Sequence, residues 1–493
     1  MNQRSRDILQ ISTADRLGGA ERIALNLHRA YRAAGRGATL AVGRRYTDES
    51  GVMEIRHDVA GSVWRRTMWR LHHTMQPYYG RSLIARRLAR ASHQLAAPQG
   101  RRDDATGLEN FDYPGIWNLL NRLPAPPDVI QLHNLHGGYF DLRALPMLAS
   151  RAPLVLTLHD AWLLAGHCAH SLGCDRWQTG CGACPDLTIY PAIRRDATAD
   201  NWRRKRDIFS QCKLNLATPS RWLMRQVERS MLWPAISEAR VIPNGVDTDV
   251  FTPGDRAAAR TALGLPHDAH VLLFAGLGAT TNRFKDVAML RAAAERLAAM
   301  RAATAKEGIV ASSPRAILFI VLGERGTLKP IAGATVQCVP PEHDPGRVAK
   351  WYRAADLYVH AAHADTFPNT VLEAQACGTP VVATAVGGIV EQVESLTVLP
   401  GIVGSPAERA TGLLTPPGDA EAMARGIKKL LTDDVLRRRL AANGVKQVAS
   451  RYRLVDQVHH YLDWFDALAT GPWHHATRPL GAIARRNQAR SPA

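Results

Sequence analysis

Residues 7–43 alternate in a way that few folds accept. A short apolar run, Ile8 to Ile11, leads into a turn containing Gly18-Gly19-Ala20. A helical pattern follows from about Glu21 to Ala33, with Ile23, Leu27, Ala30 and Tyr31 on one face, and Gly35 stands where a helix C-cap belongs. A second apolar run, Ala38 to Val42, completes the unit. Strand, glycine turn, helix and strand is the block from which doubly wound α/β sheets are built.

The same alternation continues and then restarts. Val129–Leu132 and Leu154–Leu158 read as further strands, and Pro243-Asn244-Gly245 is a strong turn signal that ends the first half. In the second half, Val271–Ala275, Ala316–Leu322 (ending at Gly323), Asp356–His360 and Val381–Ala383 read as strands. Val287–Met300, Val348–Ala355, Thr370–Cys377, Ala420–Leu431 and Val435–Arg451 read as helices. A chain of 493 residues exceeds what one core usually serves. The expectation is two Rossmann-like domains, residues 1–240 and 241–451, followed by a basic, flexible tail over 470–493.

The formal charge of +18 calls for a partner explanation, and nucleic acid, an anionic membrane face and a phosphate-bearing substrate are all candidates that charge alone does not separate. Much of the excess is local: between Gly61 and Arg102 there are nine arginines and no Asp or Glu. There Trp64, Met68, Leu71 and Met75 recur at helical spacing with Arg65, Arg66 and Arg70 between them. Such a helix either lies on anionic lipid or docks on its own domain with its arginines in water. No recognisable nucleic-acid module accompanies the charge, which argues against nucleic acid. No run approaches the ~20 apolar residues of a membrane span, and no long apolar run follows the charged segment Met1–Asp7. A cytoplasmic protein, peripheral at the inner membrane face if the basic helix binds lipid, is expected.

The segment Asp365-Thr-Phe-Pro-Asn-Thr-Val-Leu-Glu373, followed by Ala-Gln-Ala-Cys-Gly-Thr-Pro-Val-Val-Ala383 and Gly387-Gly388, resembles the retaining glycosyltransferases of family 4, which have the GT-B fold. The resemblance covers about residues 7–465. Its other landmarks are Gly18-Gly19-Ala-Glu-Arg22, Leu158-His159-Asp160, Pro243-Asn-Gly-Val-Asp247, Phe284-Lys285-Asp286 and Ala355-Asp356. It implies two parallel sheets facing across a cleft, a donor site on the second domain, an acceptor site on the first, and a last helix (about 452–468) packing back on the first.

Physics supports the donor assignment independently. A helix starting near Thr370 offers free N–H groups and a positive dipole to a diphosphate, and Asn369 and Thr370 add side-chain donors. Glu373, one turn on, can accept two ribose hydroxyls. The resemblance gives Asp365 the place of an acidic residue that touches the transferred sugar, although the family usually has a glutamate there. It assigns Lys285 to the departing diphosphate, where a cation stabilises growing charge. The family's companion arginine is missing from Gly276-Leu277-Gly278, and Arg283 is the nearest substitute. Gly276 and Gly323 are placed at the donor by the same pattern. His159, at the end of a buried strand, points into the cleft, and the resemblance places it beside the transferred sugar. His133, Asn134 and His136 end the preceding strand and are candidates for the acceptor. Gly18 and Gly19 let the backbone approach the diphosphate.

Four of seven cysteines, Cys168, Cys174, Cys181 and Cys184, fall in one loop, and Cys181-Gly-Ala-Cys184 has the spacing of a zinc knuckle. A structural zinc, a set of unliganded thiols or a disulfide formed only on oxidation fits that spacing, and this loop resembles one in an exopolysaccharide-related branch of the family. Asp247-Thr-Asp249 imitates an Asp-x-Asp metal motif but lies inside the Pro-Asn-Gly-Val-Asp loop, so no catalytic metal is expected. The reading is a retaining transferase taking a nucleoside-diphosphate-sugar donor to a glycan or lipid-linked acceptor in polysaccharide or glycolipid biosynthesis. The alternatives are a catalytically silent sugar-nucleotide sensor and an epimerase on the same fold.

Overall fold

The computed structural model describes residues 6–470, except 17, 60, 76, 77, 79–81 and 307–314. The expectation for the tail beyond residue 470 lies outside the described residues.

The first sheet contains β1 (Asp7–Ala14), β2 (Gly37–Arg44), β3 (Val52–Glu54), β4 (Val129–Leu132), β5 (Leu154–Thr157), β6 (Leu214–Thr218) and β7 (Ile236–Val241). The second contains β8 (His270–Ala275), β9 (Ile317–Leu322), β10 (Thr335–Val339), β11 (Leu357–His360), β12 (Val381–Thr384) and β13 (Gly412–Thr415). Their orders are β3-β2-β1-β4-β5-β6-β7 and β10-β9-β8-β11-β12-β13, and neighbouring strands run parallel. In each order the direction of winding reverses once, between β1 and β4 and between β8 and β11. Those switch points open a crevice at the carboxyl ends of the strands, where such folds bind ligands.

The helices of the first half are α1 (Gly19–Ala33), α2 (Val63–Met75), α3 (Leu83–Ala96), α4 (Pro98–Thr106), α5 (Leu145–Ala149), α6 (Thr198–Phe209) and α7 (Arg221–Glu228). Those of the second are α8 (Arg256–Leu263), α9 (Val287–Lys306), α10 (Pro345–Ala354), α11 (Asn369–Ala376), α12 (Ile389–Gln392), α13 (Ala420–Thr432) and α14 (Asp434–Arg451). The last, α15 (Leu454–Thr470), returns to the first domain. Its Tyr461, Trp464 and Phe465 pack with Ile8, Leu27 and Tyr31, and Arg36 grips Asp466 with two hydrogen bonds of 3.1 and 2.7 Å. The chain thus crosses between domains twice, and the crossings are zipped together where Val246 N–H donates to Tyr452 O and Leu454 N–H to Val246 O, both at 2.8 Å.

Strands β4, β5 and β9 are buried along their whole length, as helices on both faces require; β9 is apolar throughout, and the polar residues of the other two, Gln131 and Thr157, hydrogen-bond each other at 2.9 Å. Strands β6 and β7 were not expected. The first is five residues interrupted by Asn215, and the second, Ile-Ser-Glu-Ala-Arg-Val, is an edge strand with a half-exposed pattern. The basic helix read on Trp64, Met68, Leu71 and Met75 forms as α2, and a second helix of the arginine-rich stretch, α3, packs against it. Among the described residues, no helix is long and apolar enough to cross a membrane.

Candidate functional site

The second-domain wall of the crevice is built by the loop from β11 into α11. The first turn of α11 starts at Asn369 behind Pro368, with no side chain capping it. The Oδ1 of Asn369 and the Oγ1 of Thr366 are buried and have no hydrogen-bond partner. Orphaned polar atoms at an uncapped helix start carry a desolvation cost that a polar ligand would remove. Gly387 and Gly388 make the loop possible. Gly387 has φ +54°, and a Cβ there would come within 1.8 Å of Asp365 O; one on Gly388 would lie 2.0 Å from Thr366 O.

Asp365 and Lys285 meet at this loop, Oδ2 to Nζ at 2.5 Å. His360, ending β11, lies 3.3 Å from Asp365 and 3.4 Å from Lys285, and its other ring nitrogen is 2.9 Å from the Tyr358 hydroxyl. Burial would raise the Asp365 carboxyl, but the Lys285 ammonium and His360 outweigh it and hold it well below the usual carboxylate range. Burial, aided by Lys285, pushes His360 down to about 4. The site therefore presents a carboxylate and an ammonium side by side against a neutral imidazole. Gly323, at φ +99°, packs on the carbonyl of Gly276 where a Cβ would approach to 2.6 Å. The two glycines let the ends of β8 and β9 touch beside the Lys285 loop.

Glu373 is buried, with a side chain 4% exposed. Its Oε1 accepts from Arg22 of α1 at 2.5 Å, and its Oε2 from the Tyr352 hydroxyl at 2.9 Å. The residue read as a ribose ligand thus joins the two domains. At the other wall, Gly18 caps α1 in an extended conformation, and a Cβ on it would overlap the Glu21 carboxylate, whereas Gly19 has nothing within 4 Å of that position.

The first-domain wall is a polar network at the ends of β4 and β5. His133 Nδ1 is 2.9 Å from His159 Nε2, and His133 Nε2 is 3.2 Å from the Gln10 amide nitrogen. The Gln10 amide nitrogen only donates, so His133 Nε2 accepts, His133 Nδ1–H donates to His159, and His159 carries its own proton on Nδ1. Burial keeps both rings neutral, with His159 pushed down to about 4. His136 differs: burial would lower it, but Asp160, 2.7 Å away, outweighs burial and raises it. The backbone carbonyl of Asn134 accepts from the hydroxyls of Tyr139 at 2.6 Å and Thr13 at 3.2 Å, which fixes the turn. His133, Asn134, His136, His159 and Asp160 line one cavity.

The loop between β5 and α6 spans the crevice. Its His170 ring stacks edge-on to Phe284, next to Lys285, at 4.9 Å between centroids. Arg283, read as a donor ligand, instead pairs with Asp186 of this loop at 2.8 Å and also donates to Thr188. In this geometry its guanidinium is turned toward the loop of the opposite domain. Cys168, Cys174, Cys181 and Cys184 line one cavity with His167. Among the described residues, however, no three His, Cys, Asp or Glu side chains are gathered closely enough to hold a metal ion, so the zinc expectation finds no ligand set in this geometry. The root of the loop is held by Lys205, whose buried ammonium donates to Glu109 at 2.9 Å, Trp162 O at 3.0 Å and Ala165 O at 2.9 Å.

A cavity of about 600 Å³ beside Lys285 is lined by Leu172, Thr280, Arg283 and His363 among others. Sequence reasoning brought together Lys285, Asp365, Asn369, Thr370 and Glu373 on one wall and His133, His136 and His159 on the other. It gave no role to Arg22, Tyr352, His360, Asp160 or His170. Arg22 and Asp160 lie inside quoted motifs and were within reach; Tyr352 and His170 are ordinary residues whose placement depends on packing.

Two family models match the chain: Glycosyltransferase Family 4 over residues 17–250 and Glycosyl transferases group 1 over residues 332–447. The chain is 37% identical over 219 residues to D-inositol 3-phosphate glycosyltransferase 1 of Catenulispora acidiphila, covering 42% of this chain and 46% of that protein. It is 39% identical over 222 residues to the D-inositol 3-phosphate glycosyltransferase of Stackebrandtia nassauensis, covering 42% and 44%. It thus matches less than half the length of these curated relatives. Solved structures of similar fold include sucrose-phosphate synthase from Thermosynechococcus elongatus, with TM-score 0.57 and 17% identity over 94% of this chain and 99% of that one. Anabaena Alr3699/HepE in complex with UDP and glucose gives 0.56 and 14% over 94% and 100%. With both domain models matched in order and two parallel α/β sheets facing a common crevice, the chain belongs to the family 4 glycosyltransferases of the GT-B fold.

Proposed function

We propose that the protein moves a sugar from a nucleoside-diphosphate-sugar to an acceptor hydroxyl with retention of configuration, in polysaccharide or glycolipid biosynthesis. One observation carries this reading: the uncapped start of α11 with its unpartnered Thr366 and Thr370 hydroxyls, and Glu373 a turn later, lie on the same crevice as Lys285, Asp365 and His159. The names of the relatives, which are sugar transferases, and the UDP and glucose in the Anabaena structure's description support it.

In this reading the α11 amides and Lys285 hold the diphosphate, and Glu373 holds the ribose. Lys285 stabilises the negative charge that grows on the departing phosphate, and Asp365, kept ionised, faces the developing cationic sugar. His159 donates its Nδ1–H to a sugar hydroxyl. The acceptor enters along His133, Asn134 and His136, and the leaving phosphate oxygen takes its proton, so no side chain forms a covalent intermediate. Closure of the crevice keeps water from the reacting centre.

A thermal-shift screen of UDP-, GDP- and ADP-sugars tests donor binding, because a ligand selective for the folded state raises its stability. One donor raises the midpoint, and a labelled version puts its label on a new acceptor. Stabilisation by none of these donors removes the assignment. Label confined to the nucleotide sugar identifies an epimerase, and binding with no turnover identifies a sensor.

A further inference from the structure

The α2–α3 hairpin carries an unusual division of faces. Its inner face is Trp69 and His73 of α2 with Ala85, Ala89, Ser92 and Ala96 of α3, all buried. Small residues on α3 bring the two helices close. Its outer face is also apolar. On α3, Ile84, Leu88 and Leu95 recur at helical spacing and are 71, 47 and 49% exposed, with Leu83 at 69% beside them. On α2, Trp64 and Leu71 are 58 and 36% exposed. The hairpin does dock on its own domain, through Trp69 against His57 and Tyr113, and that leaves Trp64 and Leu71 on the outside.

Exposed apolar stripes of this extent mark a surface with an occupant. The charge identifies it. Arg87 and Arg90 are exposed on α3 and Arg66 is exposed on α2, and the whole 61–102 stretch contains no carboxylate side chain. A second copy would bring arginine against arginine. An anionic bilayer takes both features: the apolar side chains enter the headgroup boundary and the arginines meet the headgroups.

The hairpin also sits where this would matter. It follows the carboxyl end of the edge strand β3, and the His133–His136 turn leaves the carboxyl end of β4 in the same parallel sheet. Its Trp69 ring is 6.3 Å from that of Tyr113, and the Tyr113 hydroxyl lies 2.9 Å from where a Cβ on Gly138 would be. One tyrosine therefore separates the hairpin core from the turn that carries His136.

We infer that the α2–α3 hairpin docks the protein on a bilayer containing anionic phospholipid. Trp64, Leu83, Ile84 and Leu88 insert at the interface, and Arg66, Arg87 and Arg90 contact headgroups. That the docked chain presents its acceptor turn to a membrane-borne acceptor rests on the glycosyl-transfer reading; the docking itself does not.

The test is sedimentation of the full chain with vesicles of phosphatidylcholine, with and without phosphatidylglycerol. The wild type pellets with the anionic vesicles. Ile84→Glu with Leu88→Glu weakens this at least about tenfold. Arg66→Ala, Arg87→Ala and Arg90→Ala together weaken it on the order of a hundredfold at low salt. All five positions are exposed, so circular dichroism and the unfolding midpoint stay at wild-type values. Wild-type protein left in the supernatant with both vesicle types overturns the inference. So does co-pelleting of the Glu variant at the wild-type level, or a wild-type dimer, seen by light scattering, that the Glu variant dissociates without losing vesicles. Nucleotide-sugar thermal shifts of the same variants report separately on donor binding, so failure of docking is distinguishable from failure of the enzymatic reading.

Discussion

Arg22 and Glu373, 351 residues apart, close the crevice with one ion pair: Nη2 of the first lies 2.5 Å from Oε1 of the second. The carboxylate is nearly inaccessible and has one other partner, the Tyr352 hydroxyl. A ribose held by Glu373 needs the oxygen that Arg22 occupies, so the two compete. Arg22→Ala leaves the buried carboxylate short of a donor and is expected to tighten nucleoside-diphosphate binding by roughly tenfold. Glu373→Ala is expected to weaken it by at least as much. Calorimetry with UDP, GDP and ADP checks both, and wild-type affinity in both variants would take the ribose away from Glu373.

Lys285 and Asp365 form a second pair, and their roles separate kinetically. Lys285→Ala removes the cation facing the leaving phosphate and should lower kcat by about a hundredfold or more. Asp365→Asn keeps the shape and loses the charge, so donor KM should change little while kcat falls. An Asp365→Asn enzyme with wild-type kcat would show that the carboxylate does not act on the transferred sugar.

The Arg283–Asp186 pair is largely solvent-exposed, so it holds the loop by orientation more than by energy. Arg283→Asp should leave the unfolding midpoint unchanged and raise donor KM about threefold, since loop closure is weakened. Adding Asp186→Arg restores the pair with opposite polarity and should recover the KM. Steady-state kinetics on the single and double variants decides it.

Lys205 is a stability residue. Its buried ammonium has three hydrogen-bond acceptors and lies 3.8 Å from the centre of the Trp162 ring. Lys205→Met leaves the Glu109 carboxylate and two carbonyls unpaired and should cost about 3–5 kcal/mol, measured by urea unfolding. Changing Glu109 to Leu in the same chain should recover part of that loss.

The hairpin root titrates. His57, His72 and His93 are lowered chiefly by burial, His72 to about 4 from an ordinary value of 6.5. These rings are neutral when folded and take up protons on unfolding, so stability rises with pH across that interval and levels off above it. Between about pH 6.5 and 4, the hairpin should loosen as pH falls. Protection factors of α2 and α3, that is, hydrogen exchange divided by the intrinsic base-catalysed rate at each pH, should be lower at pH 5 than at pH 7 and alike at pH 7 and 8.

Local pattern was enough for the strands whose neighbours leave no choice. β4, β5 and β9 are covered on both faces, so all their residues but Gln131 and Thr157 are apolar and the run announces itself, and Gly35, at φ +76°, ends α1 as its position implies. The donor loop was legible for the same reason: Asp365 to Glu373 is one contiguous turn-to-helix segment whose chemistry depends on its own backbone. The edge strand β7 was illegible because half of it faces water and mixes Glu238 and Arg240 into the run. Pairings across the crevice were also beyond local pattern. Arg22 meets Glu373, Arg283 meets Asp186, and the outer rather than the inner face of α2 carries Trp64, because the return of α15 onto the first domain and the packing of α2 on α3 set those geometries. Neighbouring residues encode a strand or a helix through steric and burial preferences that act over a few positions. Which distant charges meet depends on how whole elements pack, and that is settled only when the chain has folded.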